Sequence, residues 1–167
     1  IVQTRATAVD LNSSPIKVTF EDREILTKTL IISTGASARL LGLDREAEMM
    51  GFGLSTCATC DGAFFSDQEI VVIGGGDSAC EEALFLTKFG KRVRLIHRRD
   101  ELRASKIMAD RAINHEKIEV IWNHELVELI GDQKSGITGA KLKNTQTGEE
   151  QEIECAAIFY GIGHTPN

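Results

Sequence analysis

The sequence predicts an α/β protein: a parallel sheet with helices and an antiparallel β-meander, attached to part of a second, truncated domain. Three observations carry that expectation. Residues 69–122 alternate short β-branched runs with helical stretches, the rhythm of parallel strands joined by crossover helices. Residues 125–163 return to short apolar runs separated by polar turns. Residues 1–35 repeat the order of 125–163, antiparallel-type strands and then an apolar run ending in glycine. The repeat predicts that 1–35 is the end of an earlier, related half whose own glycine turn lies upstream. The chain opens on Ile1 and in mid-pattern, so it reads as a piece of a longer one, with a complete domain inserted into a truncated one.

Taken in order, Ile1 to Val9 is a strand candidate with poor alternation, and Asn12-Ser13-Ser14-Pro15 is a turn cluster. Lys17 to Phe20 alternates as a strand does, Glu21 to Glu24 turns, and Thr29 to Ser33 is a short apolar run bounded by turn residues. That run predicts a buried strand ending at Thr34-Gly35. Residues 36–56, with glycines at 42, 51 and 53, read as a connection between domains. Glu69 to Ile73 is a β-branched strand, followed by a turn from Gly74 to Asp77. A helix from about Ser78 to Phe89 is expected to open on a capping box, Ser78 with Glu81, and to stop at Gly90. Arg92–His97 is a strand, Asp100–Asn114 a helix short or broken at its start, and Ile118–Trp122 a strand. Strands follow at Leu126–Ile130 and Ile137–Leu142, then a long one from about Ile153 to Tyr160 that ends at Gly161-Ile162-Gly163.

Composition narrows the class. A net charge of −6 argues against non-specific binding of nucleic acid or membrane surface. No apolar run approaches the ~20 residues of a spanning helix. The start has no basic and apolar leader pattern, and four cysteines with one close pair do not make a disulfide framework. A reducing, cytoplasmic setting is the expectation.

Two motifs carry chemistry. The first is Cys57-Ala58-Thr59-Cys60-Asp61-Gly62. Such a pair is a redox dithiol, half a zinc site or a lone structural disulfide. Zinc commonly takes a second close pair. Cys80 and Cys155 are far apart and read as buried small apolar residues, and His97, His115, His124 and His164 lack paired ligand spacing. No metal is therefore expected, and the redox reading leads. Asp61 can carry a proton to or from a thiolate; it is also an ordinary turn former before Gly62.

The second motif is Gly74-x-Gly76-x-x-Ala79, which matches the dinucleotide fingerprint. Its positions serve a tight turn, close approach of backbone to pyrophosphate, and close helix–strand packing. The helix start then offers N–H groups and a positive dipole to phosphate. At the end of the second strand, where an NAD site places a carboxylate, stand His97-Arg98-Arg99, with Arg103 beyond. Guanidinium forks suit a phosphate dianion, so NADP is expected; the alternative is a solvated basic turn neutralised by Asp100 and Glu101. A nicotinamide delivers hydride while a disulfide needs thiolate chemistry, and a flavin normally mediates between them. FAD is therefore implied, with Thr34, Gly35 and Ala36 as candidate lining.

The stretches "STGASARLLGLDREAEMMGFGLSTCATCDGAFFSD", "VVIGGGDSACEEAL", "LIHRRDELRASK" and "GIGHTPN" resemble the low-molecular-weight bacterial or plant-type NADPH-dependent thioredoxin reductases over essentially the whole chain. The resemblance implies two Rossmann-like domains, the NADPH domain inserted into the FAD domain. Residues 1–53 would be partial FAD domain, 54–160 the NADPH domain with its redox pair, and 161–167 the return hinge. It implies that Gly74, Gly75, Gly76, Asp77 and Ser78 lie along the pyrophosphate and ribose. His97, Arg98, Arg99 and Arg103 would hold the 2′-phosphate, and Ile162, Gly163 and His164 would approach the nucleotide. Cys60 would face the flavin, Cys57 would attack a thioredoxin disulfide, and Asp61 would be the acid/base. FAD would be held largely by segments outside these residues, in a homodimeric parent enzyme. Alternatives are a reductase of a peroxidase or another thioredoxin-like partner, and a non-catalytic NADP-binding module.

Overall fold

The structure, a computed structural model, describes residues 3–167. The chain forms two compact units, residues 1–35 with Asn167, and residues 36–166.

The first unit is an antiparallel meander of β1 (Ala6–Asp10), β2 (Ile16–Phe20) and β3 (Glu24–Thr27), in that order. The sequence expectation for its first strand begins at Ile1, which with Val2 lies outside the described residues. Thr29–Ser33, expected as a buried strand, is neither buried nor a strand: it has no regular structure, and Ile31 and Ile32 are 89% and 72% exposed. An apolar run becomes a buried strand only when neighbouring strands take up its backbone groups, and no described strand pairs with it. An antiparallel meander stands in each part of the expected repeat, the first completed by β3, which the sequence did not predict and which starts at Glu24, where the expected turn from Glu21 ends; only the second meander is followed by a buried apolar strand.

The second unit runs β4 (Ala36–Ala38), α1 (Glu46–Met49), β5 (Leu54–Ser55), α2 (Ala58–Asp61), a 3₁₀ turn (Gly62–Phe65), β6 (Glu69–Gly74), α3 (Asp77–Leu86), β7 (Arg92–His97), α4 (Lys106–Ile113) and β8 (Ile118–Trp122). It continues with β9 (His124–Asp132), β10 (Gly136–Asn144), β11 (Glu150–Glu154), β12 (Ala157–Gly161) and β13 (His164–Pro166). The central sheet is parallel throughout, in the order β5-β12-β6-β7-β8. β9, β10 and β11 form a three-stranded antiparallel sheet, and β13 pairs with β4.

Alternation along β6 explains the three layers. Ile70 and Val72 face one side, where they meet Ala79, Cys80, Ala83 and Leu86 of α3 and Ala112 of α4. Val71 and Ile73 face the other, against Leu126, Leu129, Ile137, Ala140 and Leu142 of the meander. A strand buried on both faces must be apolar at every buried position, which is why residues 70–73 read as one unbroken apolar run. Each fully buried aliphatic side chain contributes about 1.5–3 kcal/mol by leaving water. The expected parallel α/β sheet with helices on one face and a meander on the other is therefore what forms.

Three element expectations need correction. The long strand from Ile153 to Tyr160 is two strands in different sheets, parted at Cys155-Ala156. β11 is polar and largely exposed whereas β12 is wholly buried, so the chain changes layer between them. The helix after the glycine turn is capped by Gly76 and no side chain caps it, so the Ser78–Glu81 box does not form. That helix ends at Leu86, and Gly90 is not left-handed. Gly90 is small for a packing reason: Ile70 Cδ1 lies 2.9 Å from where its Cβ would stand.

Candidate functional site

The order β5-β12-β6-β7-β8 reverses direction at β6, since α3 leads from β6 to β7 on one side while β12 returns on the other. Ligands of open α/β sheets bind in the crevice beyond the strand ends at such a switch point. Here Gly74 and Gly161 are register partners at those ends. A Cβ on Gly74 would lie 2.5 Å from the Gly161 carbonyl oxygen and 2.6 Å from Ala79 Cβ, and one on Gly161 would lie 2.7 Å from Ala79 Cα. Small residues at 74, 79 and 161 thus let the start of α3 sit directly over the strand ends. The crevice is a cavity of ≈ 900 Å³ lined by Gly74, Gly75, Gly76, Asp77 and Ser78, by His97, Arg98, Arg99 and Arg103, and by Ile162 and Gly163. Eleven of the residues singled out in the sequence thus share one lining.

The arginine loop is built onto the glycine turn. The Arg103 and Ala104 N–H groups donate to the Gly75 carbonyl at 2.6 and 3.1 Å. Asp77 Oδ1 accepts from the Ser105 N–H at 2.9 Å and from the Ser105 hydroxyl at 2.8 Å, and Ser105 is the N-cap of α4. From the meander, the Thr145 hydroxyl donates to the Arg98 carbonyl at 3.1 Å. His97 is 7% exposed, its ring occupies the space a Cβ on Gly75 would need, and its buried Nε2 has no hydrogen-bond partner. Burial, with Arg99 and Arg98 nearby, pushes the imidazole pKa down. An orphaned ring nitrogen beside three arginines and bare helix N–H groups fits an anionic nucleotide.

The dithiol site lies elsewhere on the same unit. Cys57 and Cys60 are joined in a disulfide, Cys57 as the N-cap of α2 and half-buried, Cys60 exposed. Buried Ser55 ties the motif together: its hydroxyl donates to Asp61 Oδ2 at 2.6 Å and accepts from the Cys57 N–H at 3.0 Å. Ser55 and Asp61 line a small cavity of ≈ 80 Å³ with Phe64 and Phe65. Cys80 and Cys155 are free and buried, as expected of small apolar residues.

Four singled-out residues do not join either place. His164 is exposed in β13, and Ala36 is paired with Pro166 in β4. Thr34 and Gly35 belong to the other compact unit, where the Thr34 hydroxyl donates to the Asn167 carbonyl at 3.0 Å. Sequence reasoning missed Ser55, Ser105 and Thr145, and the wall formed by Arg39, Leu40, Leu41 and Leu43. Ser105 lies 28 positions from the carboxylate it binds, and no local spacing signals that.

A family model described as "Pyridine nucleotide-disulphide oxidoreductase" matches residues 1–167. The chain is 47% identical to a thioredoxin reductase of Rickettsia conorii, covering 100% of this chain and 54% of that protein. It is 50% identical to a thioredoxin reductase of Mycolicibacterium smegmatis, covering 95% of this chain and 50% of the other. Among solved structures, the thioredoxin reductase of Lactococcus lactis (FR conformation) superposes with a TM-score of 0.84 at 46% identity, over 98% of this chain and 54% of that one. The chain thus spans about half the length of the curated relatives it matches. With its whole length matched, and a disulfide set in the same unit as a dinucleotide-type crevice, the chain belongs to the pyridine nucleotide-disulphide oxidoreductase family.

Proposed function

We propose that the full-length protein is an NADPH-dependent disulfide reductase in which electrons pass from NADPH, by way of FAD, to Cys57–Cys60 and on to a thioredoxin disulfide. The observation that carries this reading is a formed Cys57–Cys60 disulfide, hydrogen-bonded through Ser55 to a carboxylate, in the unit that holds the arginine-lined crevice. The relatives named thioredoxin reductases support the acceptor. On this reading residues 54–160 are the nucleotide domain, 1–53 are part of a flavin domain and 161–167 return to it.

Within the crevice, the Gly74–Ser78 turn and the bare start of α3 take the pyrophosphate, and Arg98, Arg99 and Arg103 take the 2′-phosphate. The net reaction oxidises NADPH and consumes one proton as a disulfide becomes two thiols. A flavin, when bound, supplies the conversion between hydride and thiol–disulfide chemistry. Thr34, Gly35 and Ala36 do not by themselves make a cradle for one. Thr34 is engaged with Asn167 and Ala36 with Pro166, so the flavin is held largely outside these residues. Exposed Cys60 is open to a planar cofactor laid over it. Cys57, once reduced, attacks the partner disulfide, the mixed disulfide is resolved by Cys60, and Asp61 carries the proton. Free Cys80 and Cys155 are in keeping with a reducing, cytoplasmic setting.

The test is a visible spectrum of the full-length protein. A flavin band bleached by NADPH and restored by oxidised thioredoxin is expected. Undiminished thioredoxin reduction by Cys57→Ser would overturn the mechanism, and restoration by a peroxidase but not by thioredoxin would change the partner.

A further inference from the structure

Glu46, the first residue of α1, is 5% exposed and fully engaged. The Tyr160 hydroxyl donates to its Oε1 at 2.9 Å, the Leu41 N–H to Oε1 at 3.0 Å, and the Gly42 N–H to Oε2 at 3.0 Å. A buried carboxylate persists only when its oxygens are satisfied, so these bonds hold two strips of chain to each other. One strip is the end of β12, where Tyr160 precedes cavity-lining Gly161. The other is the segment 39–43, in which Arg39, Leu40, Leu41 and Leu43 line the cavity. Arg39 is held further by its own backbone and side chain: its N–H donates to the Gly163 carbonyl at 3.0 Å, and its Nε to Thr165 Oγ1 at 3.3 Å.

Among the lining residues, Arg98, Arg99 and Arg103 come from one loop after β7, and Arg39 is the remaining guanidinium, from a different stretch of chain. A phosphorylated dinucleotide has two separated anionic groups, the pyrophosphate and the 2′-phosphate. One loop of arginines serves the latter. We propose that Glu46 is a positioning residue for the dinucleotide: by clamping residues 41 and 42 to β12 it presents Arg39 to the cavity as the cation that meets the pyrophosphate. This deepens the nucleotide part of the function proposed above and rests on it.

The proposal differs from the 2′-phosphate assignment in a measurable way. NADH and NADPH share the pyrophosphate, so removing the Arg39 side chain weakens both. Calorimetric titration of the full-length protein with each nucleotide is the experiment. Arg39→Ala is expected to weaken NADPH and NADH alike, by about tenfold. Glu46→Gln sets an amide N–H₂ against a backbone N–H, that of Leu41 or of Gly42, and is expected to weaken both nucleotides by a similar factor. The Arg39→Ala/Glu46→Gln double variant is expected to bind no worse than about twofold below the weaker single variant, because the two residues act as one unit. Should Glu46→Gln fail to fold, Tyr160→Phe removes one bond of the clamp, leaves both backbone bonds, and enters the same cycle. Additive losses, or an Arg39→Ala loss confined to NADPH or absent, would overturn the proposal. A parental protein that binds neither nucleotide would instead overturn the reading beneath it.

Discussion

Arg98 and Arg99 follow directly on His97, whose ring fills the space that a Cβ on Gly75 would need. Replacing both arginines by alanine should weaken NADPH far more than NADH, by ~1.5–3 kcal/mol for each charge-assisted hydrogen bond removed. Equal losses in a titration with the two nucleotides would remove the 2′-phosphate assignment. The cysteines give a second prediction. Burial pushes Cys155 up to about 12 and raises Cys80 as well, and both are nearly inaccessible. After reduction, iodoacetamide at neutral pH should label Cys57 and Cys60 quickly, and Cys80 and Cys155 only once the chain is unfolded in urea. Mass spectrometry of the labelled chain checks this; rapid native labelling of four thiols would contradict it. The motifs were legible at this scale because their chemistry is local: two thiols three apart, glycines around a turn, arginines at a strand end. Ser55, Ser105 and Glu46 were not, since each acts through a partner set by the fold. Asp77 was legible as a residue of the turn, but not as the acceptor for Ser105.

Helix α3 carries two tests of how an element sits on the sheet. Gly161→Ala would put a methyl group 2.7 Å from Ala79 Cα, a backbone atom that yields only if the helix moves. A loss of about 1–3 kcal/mol in urea unfolding is expected from overpacking, together with weaker nucleotide binding. A variant of parental stability would mean that the helix shifts freely. On the same helix, burial raises the Glu82 carboxyl to about 7 from an ordinary 4.5, and its Oε2 has no hydrogen-bond partner. The folded state therefore holds this proton more tightly than the unfolded one. Its stabilising contribution is complete below the unfolded value and is lost as pH rises through about 7. Glu82→Gln should accordingly gain stability relative to the parent between about pH 5 and pH 8; a gap independent of pH would show that the carboxyl is already free to ionise. Elements were readable where one pattern mapped onto one layer, as in β6, β7 and β8. They were misread where one apolar-looking run served two layers, as at Cys155-Ala156, or where an apolar run found no pairing partner, as at Thr29–Ser33.

At the scale of the whole molecule, stability should be graded. β6, β7 and β12 are bonded to strands on both edges and buried, whereas residues 29–35 are exposed and irregular. Native-state hydrogen exchange should find the slowest amides in those three strands and the fastest around Ile31 and Ile32. Uniform protection would refute the grading. The strand order has a further consequence, in the time domain of synthesis. β12 is the last strand of the central sheet to leave the ribosome, yet it is inserted between two that left long before, β5 and β6. β5, immediately ahead of the Cys57–Cys60 segment, pairs in that sheet with β12 alone. Chains emerge N-terminus first, and pairings distant in sequence close late. A nascent chain therefore has β6, β7 and β8 in hand while β5, just ahead of Cys57 and Cys60, still lacks its strand partner in the sheet. Packing of Ala58 and Gly62 against α3 is available before then, but the sheet pairing of β5 waits until residue 161 is free, so a chain arrested short of that point would hold Cys57 and Cys60 beside an incomplete sheet edge.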